Sequence, residues 1–177
     1  MRPEARAAVS ALRDLGVEDI LMLTGDARAT ADHVAGATGI DRVQAECLPV
    51  DKVTTVRDAA SRPVVMVGDG VNDAPALAVA EVGIAMGARG ASAASEAAGA
   101  VVLVEDLSTI PGVVRIGRDT VRIALQSIWL GIALSLGLML VATTGLIPAT
   151  VGAGLQEVVD LFTILNALRA IGRRRTT

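Results

Sequence analysis

Apolar positions recur through the first hundred residues in two alternating rhythms. Residues 4–15 place Ala8, Leu12 and Leu15 at helical spacing, and Gly16 follows as a stop. Residues 19–23 form a short apolar run before Thr24-Gly25-Asp26, which predicts a strand closed by a turn. Residues 27–38 return to helical spacing and end on Gly39, and residues 43–47 are a weaker strand candidate. Pro49 and Asp51 open a helix expected to reach residue 60. Residues 64–67 are the clearest buried strand, with Gly68-Asp69-Gly70 as their turn. A helix over 74–80, a strand over 82–86, a helix over 92–98 and a strand over 100–104 continue the alternation. Short, uniformly apolar strands alternating with helices predict an α/β fold: a Rossmann-like parallel sheet with helices on both faces and right-handed crossovers. Ligands of such a sheet bind at the carboxyl ends of its strands. Thr24-Gly25-Asp26, Gly68-Asp69 and Glu105-Asp106 all fall there.

The pattern changes after residue 106. Residues 107–126 predict a stalk helix, capped by Asp106 or Ser108, with Pro111 in its first turn and Arg115, Arg118 and Arg122 along it. Residues 127–147 carry no charge and match the roughly 20 residues needed to cross a bilayer. Gly145 and Pro148 mark a turn, and residues 149–171 predict a second span that contains Glu157 and Asp160. The expectation is a two-helix transmembrane hairpin followed by a basic tail over 172–177. Arginines precede the first span and follow the second, at Arg169, Arg173, Arg174 and Arg175. The positive-inside rule then places both ends in the cytoplasm of a multi-pass protein of the cell membrane. A buried hairpin in a soluble protein is the alternative, but a chain of this size has little protein in which to hide one. Gly131, Gly137, Gly145, Gly152 and Gly154 read mainly as close-packing positions.

Composition sharpens this division. Hydrophobic residues make up 52% and charged residues 20%, yet no charge occurs between Ile123 and Leu155. A net charge of -3 and only two aromatic residues, Trp129 and Phe162, exclude a basic, stacking surface for nucleic acid. The lone Cys47 excludes an internal disulfide framework and is expected to be a buried thiol. No apolar leader follows Met1.

The chemistry concentrates at the strand ends. Asp69 and Asp73 stand four apart on a glycine-permitted turn and can converge on one hard cation such as Mg²⁺, which takes carboxylate, phosphate and water oxygens. Gly68 and Gly70 allow close backbone approach to an anion. Thr24 offers a hydroxyl, and Lys52 an ammonium near a helix N-terminus. Together a hydroxyl, a lysine and two carboxylates make a phosphoryl-transfer site. Taken singly, each also fits a blander role: a polar turn, a common βα loop, a solvated lysine. His33 reads as a helix-face residue and Met139 as a packed or lipid-facing one.

Thr24-Gly25-Asp26, Lys52 after Pro49 and Asp51, and the run Gly68-Asp69-Gly70-Val71-Asn72-Asp73-Ala74-Pro75-Ala76-Leu77 resemble the C-terminal half of the phosphorylation domain of P-type cation-transporting ATPases. That domain is of the haloacid dehalogenase-like type, present here in part. The resemblance implies that Thr24 contacts the phosphoryl group, Lys52 neutralises it, Asp69 ligates Mg²⁺, and Asn72 and Asp73 complete the metal and phosphate network. It places Thr24, Gly25, Asp26 and Lys52 near ATP, and Asp69 and Asp73 at the Mg²⁺. The family phosphorylates the Asp of an Asp-Lys-Thr-Gly-Thr motif, which this sequence lacks. The implied partners are therefore the actuator domain, the nucleotide-binding domain and earlier membrane helices, and the chain alone is expected to be inactive.

Asn166-Ala167-Leu168-Arg169, and a hairpin directly after the aspartate motif, resemble the heavy-metal-transporting subclass. The resemblance implies a pump for a divalent metal such as Zn, Cd or Co, with Glu157 and Asp160 as a candidate site for the transported ion. Intramembrane carboxylates are costly and usually face a protein interior or pathway. Interhelical packing is the other role open to them. Two further readings fit the soluble part: a membrane-tethered haloacid dehalogenase-like phosphatase, which lacks its Asp-x-Asp nucleophile here, and a non-catalytic truncated accessory protein.

Overall fold

A computed structural model describes residues 4–69, 71–87, 93–145 and 147–169. The chain divides into two compact units, Met1–Gly112 and Val113–Thr177.

The first unit alternates strands and helices as expected. α1 (Glu4–Asp14) ends where Gly16 adopts φ 78. β1 (Leu21–Leu23), α2 (Arg28–Thr38) and β2 (Arg42–Gln44) follow, with Gly39 in the left-handed conformation that glycine takes without steric cost. α3 (Pro49–Arg57) starts with proline at its first position, and the Asp51 carboxylate accepts a 2.8 Å bond from the Leu48 amide. β3 (Val65–Gly68) leads through a single 3-10 turn (Val71–Asp73) into α4 (Ala74–Val79). β4 (Val82–Met86), α5 (Ala93–Ala97) and β5 (Ala100–Val102) complete the unit.

All strand pairings are parallel, but they form two sheets. β1 pairs with β2, and β3–β4–β5 form the second sheet in that order. The strands are also shorter than the apolar runs predict. Residues 19–20, 45–47 and 103–104 fall outside the ladders, and Glu46 takes φ 56, which ends β2. The first helix stops short of residue 15, the third at Arg57 and the fourth at Val79.

The core lies between α3, α4, α5 and the second sheet. Val56, Met66, Ala76, Leu77, Ala85 and Ala94 form it, and Leu23 of β1 packs against its margin. Leu77 and Ile84 are each 1% exposed, and burying such a side chain contributes about 1.5–3 kcal/mol. Burial is not uniform, however. Val65 and Val82 are register partners at the amino ends of β3 and β4, and both remain exposed, as do Leu103 and Val104. Uniform apolarity had predicted strands covered on both faces; here the cover is incomplete.

The predicted stalk and first span are one continuous helix, α6 (Thr109–Thr143). Asp106 ties down the turn before it: its carboxylate accepts from the Ser108 amide at 2.8 Å and its main-chain carbonyl from the Thr109 hydroxyl at 2.7 Å. At about 1.5 Å per residue its 35 residues run roughly 52 Å, well beyond a bilayer's hydrocarbon core. Among the described residues it is the one helix long and apolar enough to span. α7 (Ala149–Ala167) follows a turn in which Gly145 has φ 74. Gln156, Glu157, Asp160 and Asn166 lower its apolarity, so the expected second span is not distinguished by composition. The end predicted for it, residues 170–171, and the basic tail lie outside the described residues.

Candidate phosphoryl and cation sites

Thr24 extends the β1–β2 ladder by one step, its amide donating to the Gln44 carbonyl at 3.0 Å. Its hydroxyl then organises the turn. Thr24 Oγ1 accepts from the Asp26 amide at 3.1 Å and donates to Asp26 Oδ2 at 3.0 Å. The loop after β2 clasps this turn: Cys47 N donates to Thr24 O and Glu46 N to Asp26 O, both at 2.9 Å. Gly25 stands against the Cys47 carbonyl, where an added Cβ would sit at 3.4 Å. Cys47 is buried, as expected, and its thiol donates to the Gln44 carbonyl at 3.2 Å.

Lys52 lies one turn into α3, whose Thr55 hydroxyl donates to Gln44 Oε1 at 3.0 Å and ties the helix to β2. The lysine reaches across to the other sheet. Lys52 Nζ donates to Asp73 Oδ1 at 2.7 Å, with side chains only 14% and 13% exposed. Asp73 closes the 3-10 turn and enters α4. Gly68 makes room for it, since a Cβ built there would lie 2.7 Å from Asp73 Cβ and 2.8 Å from Oδ2. Asp69 and Asn72 are exposed on the same turn.

The predicted site residues therefore form two hydrogen-bonded pairs, Thr24–Asp26 and Lys52–Asp73, with no hydrogen bond between the pairs. Lys52 and Asp73 are 21 residues apart and come together through the packing of α3 on α4. A lysine held on a carboxylate at the end of a parallel strand, beside a second carboxylate, is equipped to receive a phosphoryl group and a hard cation.

The second unit holds the other candidates. Asp160 Oδ1 accepts from Gln156 Nε2 at 3.1 Å, and the same nitrogen donates to Ser135 Oγ on α6 at 3.0 Å. Glu157 is exposed and makes no hydrogen bond to a described residue, so the two carboxylates are not paired. Further along, Asn166 Nδ2 donates to Ser127 Oγ at 2.8 Å, and Thr163 faces Gly131, where a Cβ would meet its methyl at 3.2 Å. Met139 is exposed, and so is His33 on α2.

Residues 1–81 match the family model described as haloacid dehalogenase-like hydrolase. The chain is 41% identical over 173 residues to a probable cation-transporting P-type ATPase J of Mycobacterium tuberculosis, covering 97% of this chain and 26% of that protein. It is 39% identical over 176 residues to a zinc-exporting P-type ATPase of Mycobacterium marinum, covering 98% and 24%. A crystal structure of a zinc-transporting PIB-type ATPase in the E2.Pi state superposes with TM-score 0.88 at 33% identity, over 96% of this chain and 28% of that one. Over almost its whole length the chain is similar to a segment of cation-transporting P-type ATPases.

It spans about a quarter of the length of these P-type ATPase relatives. Its residues also fit the family's hard cation. Asp69 and Asp73 are oxygen donors, and no group of three or more acidic, His or Cys side chains gathers among the described residues. Mg²⁺ suits two carboxylates completed by phosphate and water; a closed protein cage would not be needed. Three features of the chain escape sequence reasoning: the Gly68 seat for Asp73, the Gln156 bridge and the Ser127–Asn166 bond. Each depends on what faces a residue from another element. The one usable signal was the helical spacing of Ser127, Gly131 and Ser135, small residues at every fourth position.

Proposed function

We propose that this chain is the phosphate-binding and membrane-end segment of an ATP-driven divalent-metal exporter that works through an aspartyl-phosphate. The carrying observation is the Lys52–Asp73 pair at 2.7 Å beside the Gly68–Asp69 turn. In this reading Lys52 neutralises the phosphoryl oxygens, Asp69 and Asp73 hold Mg²⁺, and Asn72 completes the network. Bound Mg²⁺ supplies charge neutralisation for the transferred phosphoryl group. The Thr24 hydroxyl, now turned to Asp26, is the group that contacts the phosphoryl oxygen once one arrives. Gly25 and Asp26 form the nucleotide-side rim.

The attacked Asp comes from a segment outside this sequence. Support comes from the split sheet: among the described residues β1 and β3 each pair on one side only, and Leu23 packs against the core that includes Met66 of β3. A further parallel strand pairing with both would bring its carboxyl end between Thr24 and Asp69. The α6–α7 hairpin is read as two membrane spans with both ends cytoplasmic. In this reading the boundaries are 1–106 for the phosphorylation domain, 107–126 for the stalk, 127–147 and 149–171 for the spans, and 172–177 for the tail. Glu157 and Asp160 are the carboxylates read as meeting Zn²⁺, Cd²⁺ or Co²⁺. The test is metal-stimulated ATP hydrolysis by the longer pump in vesicles. Asp73→Ala abolishes turnover with insertion intact; normal turnover in that variant overturns the reading.

A further inference from the structure

We infer that the side of α6 turned away from α7 is a docking surface for anionic phospholipid headgroups, with Arg122 on the lipid phosphate and Trp129 as the depth anchor. The inference rests on the reading of α6 as a membrane span and adds the class of lipid that the span selects.

The surface is set by helical spacing. Arg115, Arg118, Arg122, Trp129, Leu136 and Leu140 follow one another at steps of three, four or seven residues, so they share one side of α6. All six are exposed, Trp129 at 68% and the Arg122 side chain at 78%. The side that meets α7 is a different one. Ser127 accepts from Asn166, Ser135 accepts from Gln156, and Gly131 lies against Thr163. Trp129 is two residues from both Ser127 and Gly131, a rotation of about 200° that carries it to the far side. Small residues thus meet the neighbouring helix, and the bulky ones are left to face lipid.

Along this surface the chemistry changes in the order in which a bilayer changes. At about 1.5 Å per residue, Arg122 stands about 8 Å before Ser127, where the predicted span begins. Trp129 lies about 3 Å beyond that point, and Leu136 and Leu140 about 14 and 20 Å beyond it. A headgroup layer is roughly 5–7 Å deep on each side of a hydrocarbon core about 30 Å thick. Arg122 therefore meets the headgroups, Trp129 the boundary where amphipathic rings settle, and the leucines the acyl chains. Residues 109–126 carry three arginines against one aspartate. That aspartate, Asp119, stands 3.6 Å from Arg122, a separation that leaves the exposed guanidinium open to a second acceptor. A guanidinium forks onto phosphate oxygens. In a zwitterionic lipid the headgroup cation opposes that approach. In an anionic lipid it is absent, so charge complementarity selects the anionic class.

Trp129 is the one tryptophan and the chain has no tyrosine, so its fluorescence reports this surface alone. The test reconstitutes the whole chain into vesicles of phosphatidylcholine and phosphatidylglycerol, with bromine on the acyl chains of one or the other as a contact quencher. Quenching is expected to show a preference for phosphatidylglycerol of about fivefold, the factor one basic side chain carries at an anionic surface. Arg122→Gln is expected to abolish that preference. Arg115→Gln, roughly 10 Å further out, is expected to leave most of it, because physiological salt screens over about 8 Å. Inorganic phosphate added to pure phosphatidylcholine vesicles is expected to leave Trp129 emission unchanged; a shift there would mean a free-phosphate site and overturn the lipid assignment. Equal quenching by both lipids, an unchanged preference in Arg122→Gln, or an equal loss in Arg115→Gln overturns the inference and leaves the span reading standing. Quenching by neither lipid also overturns it, with protein covering the surface or α6 outside the bilayer. Alkaline extraction separates those two outcomes, since a chain washed off the vesicles loses the span reading as well.

Discussion

Gly68→Ala adds a single methyl group and tests the seat of the proposed phosphate site. Gly68 is buried and its φ lies outside the left-handed region, so alanine is compatible with its backbone. By chain entropy alone the change would stabilise by about 0.4–1 kcal/mol. The new Cβ, however, would lie 2.7 Å from Asp73 Cβ and 3.1 Å from Cγ. Carbon atoms rest at about 3.5–4.0 Å, so the two residues must part by about 1 Å. Rotating the carboxylate gives no relief, because the clash includes Cβ itself. Asp73 is also followed by Ala76 and Leu77, each 1% exposed, which anchor α4. The 3-10 turn or the end of β3 must yield, stretching the 2.7 Å contact to Lys52. Such overpacking costs about 1–3 kcal/mol. For a chain of this size that lowers Tm by about 2–4 °C per kcal/mol, read by thermal unfolding in detergent. Gly36→Ala is the matched control: it sits within α2 with nothing within 4 Å of its added Cβ, and is expected to raise stability by up to about 1 kcal/mol. In the proposed pump Gly68→Ala is also expected to lower metal-stimulated turnover. Unchanged stability together with an intact Lys52–Asp73 contact in Gly68→Ala would refute the reasoning.

Lys52→Met keeps the apolar stem and removes the ammonium; turnover of the proposed pump is expected to fall by about 100-fold or more, measured as metal-stimulated phosphate release. Glu81 accepts a 2.8 Å bond from the Val64 amide, which chiefly holds its carboxyl below the usual range, with Arg62 contributing. A depressed carboxyl stabilises above its unfolded value, and that contribution is lost as pH falls through the folded one. As pH falls below the usual carboxylate value of 4.5, the wild type should therefore lose more stability than Glu81→Gln in denaturant titrations; parallel losses would remove the role given to Glu81. Ser127→Ala removes the acceptor of the Asn166 bond, and interhelical bonds of this kind contribute about 0.6 kcal/mol, up to about 1.7. Steric-trapping measurements of the hairpin in bilayers should show a loss of that order, and a larger one for Gly131→Leu, which would run into Thr163.

The alternation of strands and helices was legible because periodicity is local: each element records its own environment every second or every third-to-fourth residue. Gly16, Gly39 and Pro49 announced their boundaries for equally local reasons, two by left-handed backbone and one by a preset φ. The charge-free stretch announced a long apolar helix, and no turn interrupts it between the predicted stalk and the predicted span because the sequence there contains nothing that ends a helix. Strand ends were overextended because an apolar residue beyond the ladder looks the same in sequence as one within it. Leu103 and Val104 are the clearest instance, apolar yet exposed and outside β5.

By itself, then, the amino-acid sequence determined the order of elements, the strand-end position of the chemical groups, and the change from a charged to an apolar region. Tertiary structure decided which of those groups meet. Lys52 with Asp73, Gln156 with Ser135 and Asn166 with Ser127 are separated by 21, 21 and 39 residues. Those contacts depend on how one helix is placed against another, which side-chain volume and packing settle over the whole unit. Local spacing carries no record of it, and so it offered Glu157 and Asp160 as equals where the folded hairpin orients only Asp160.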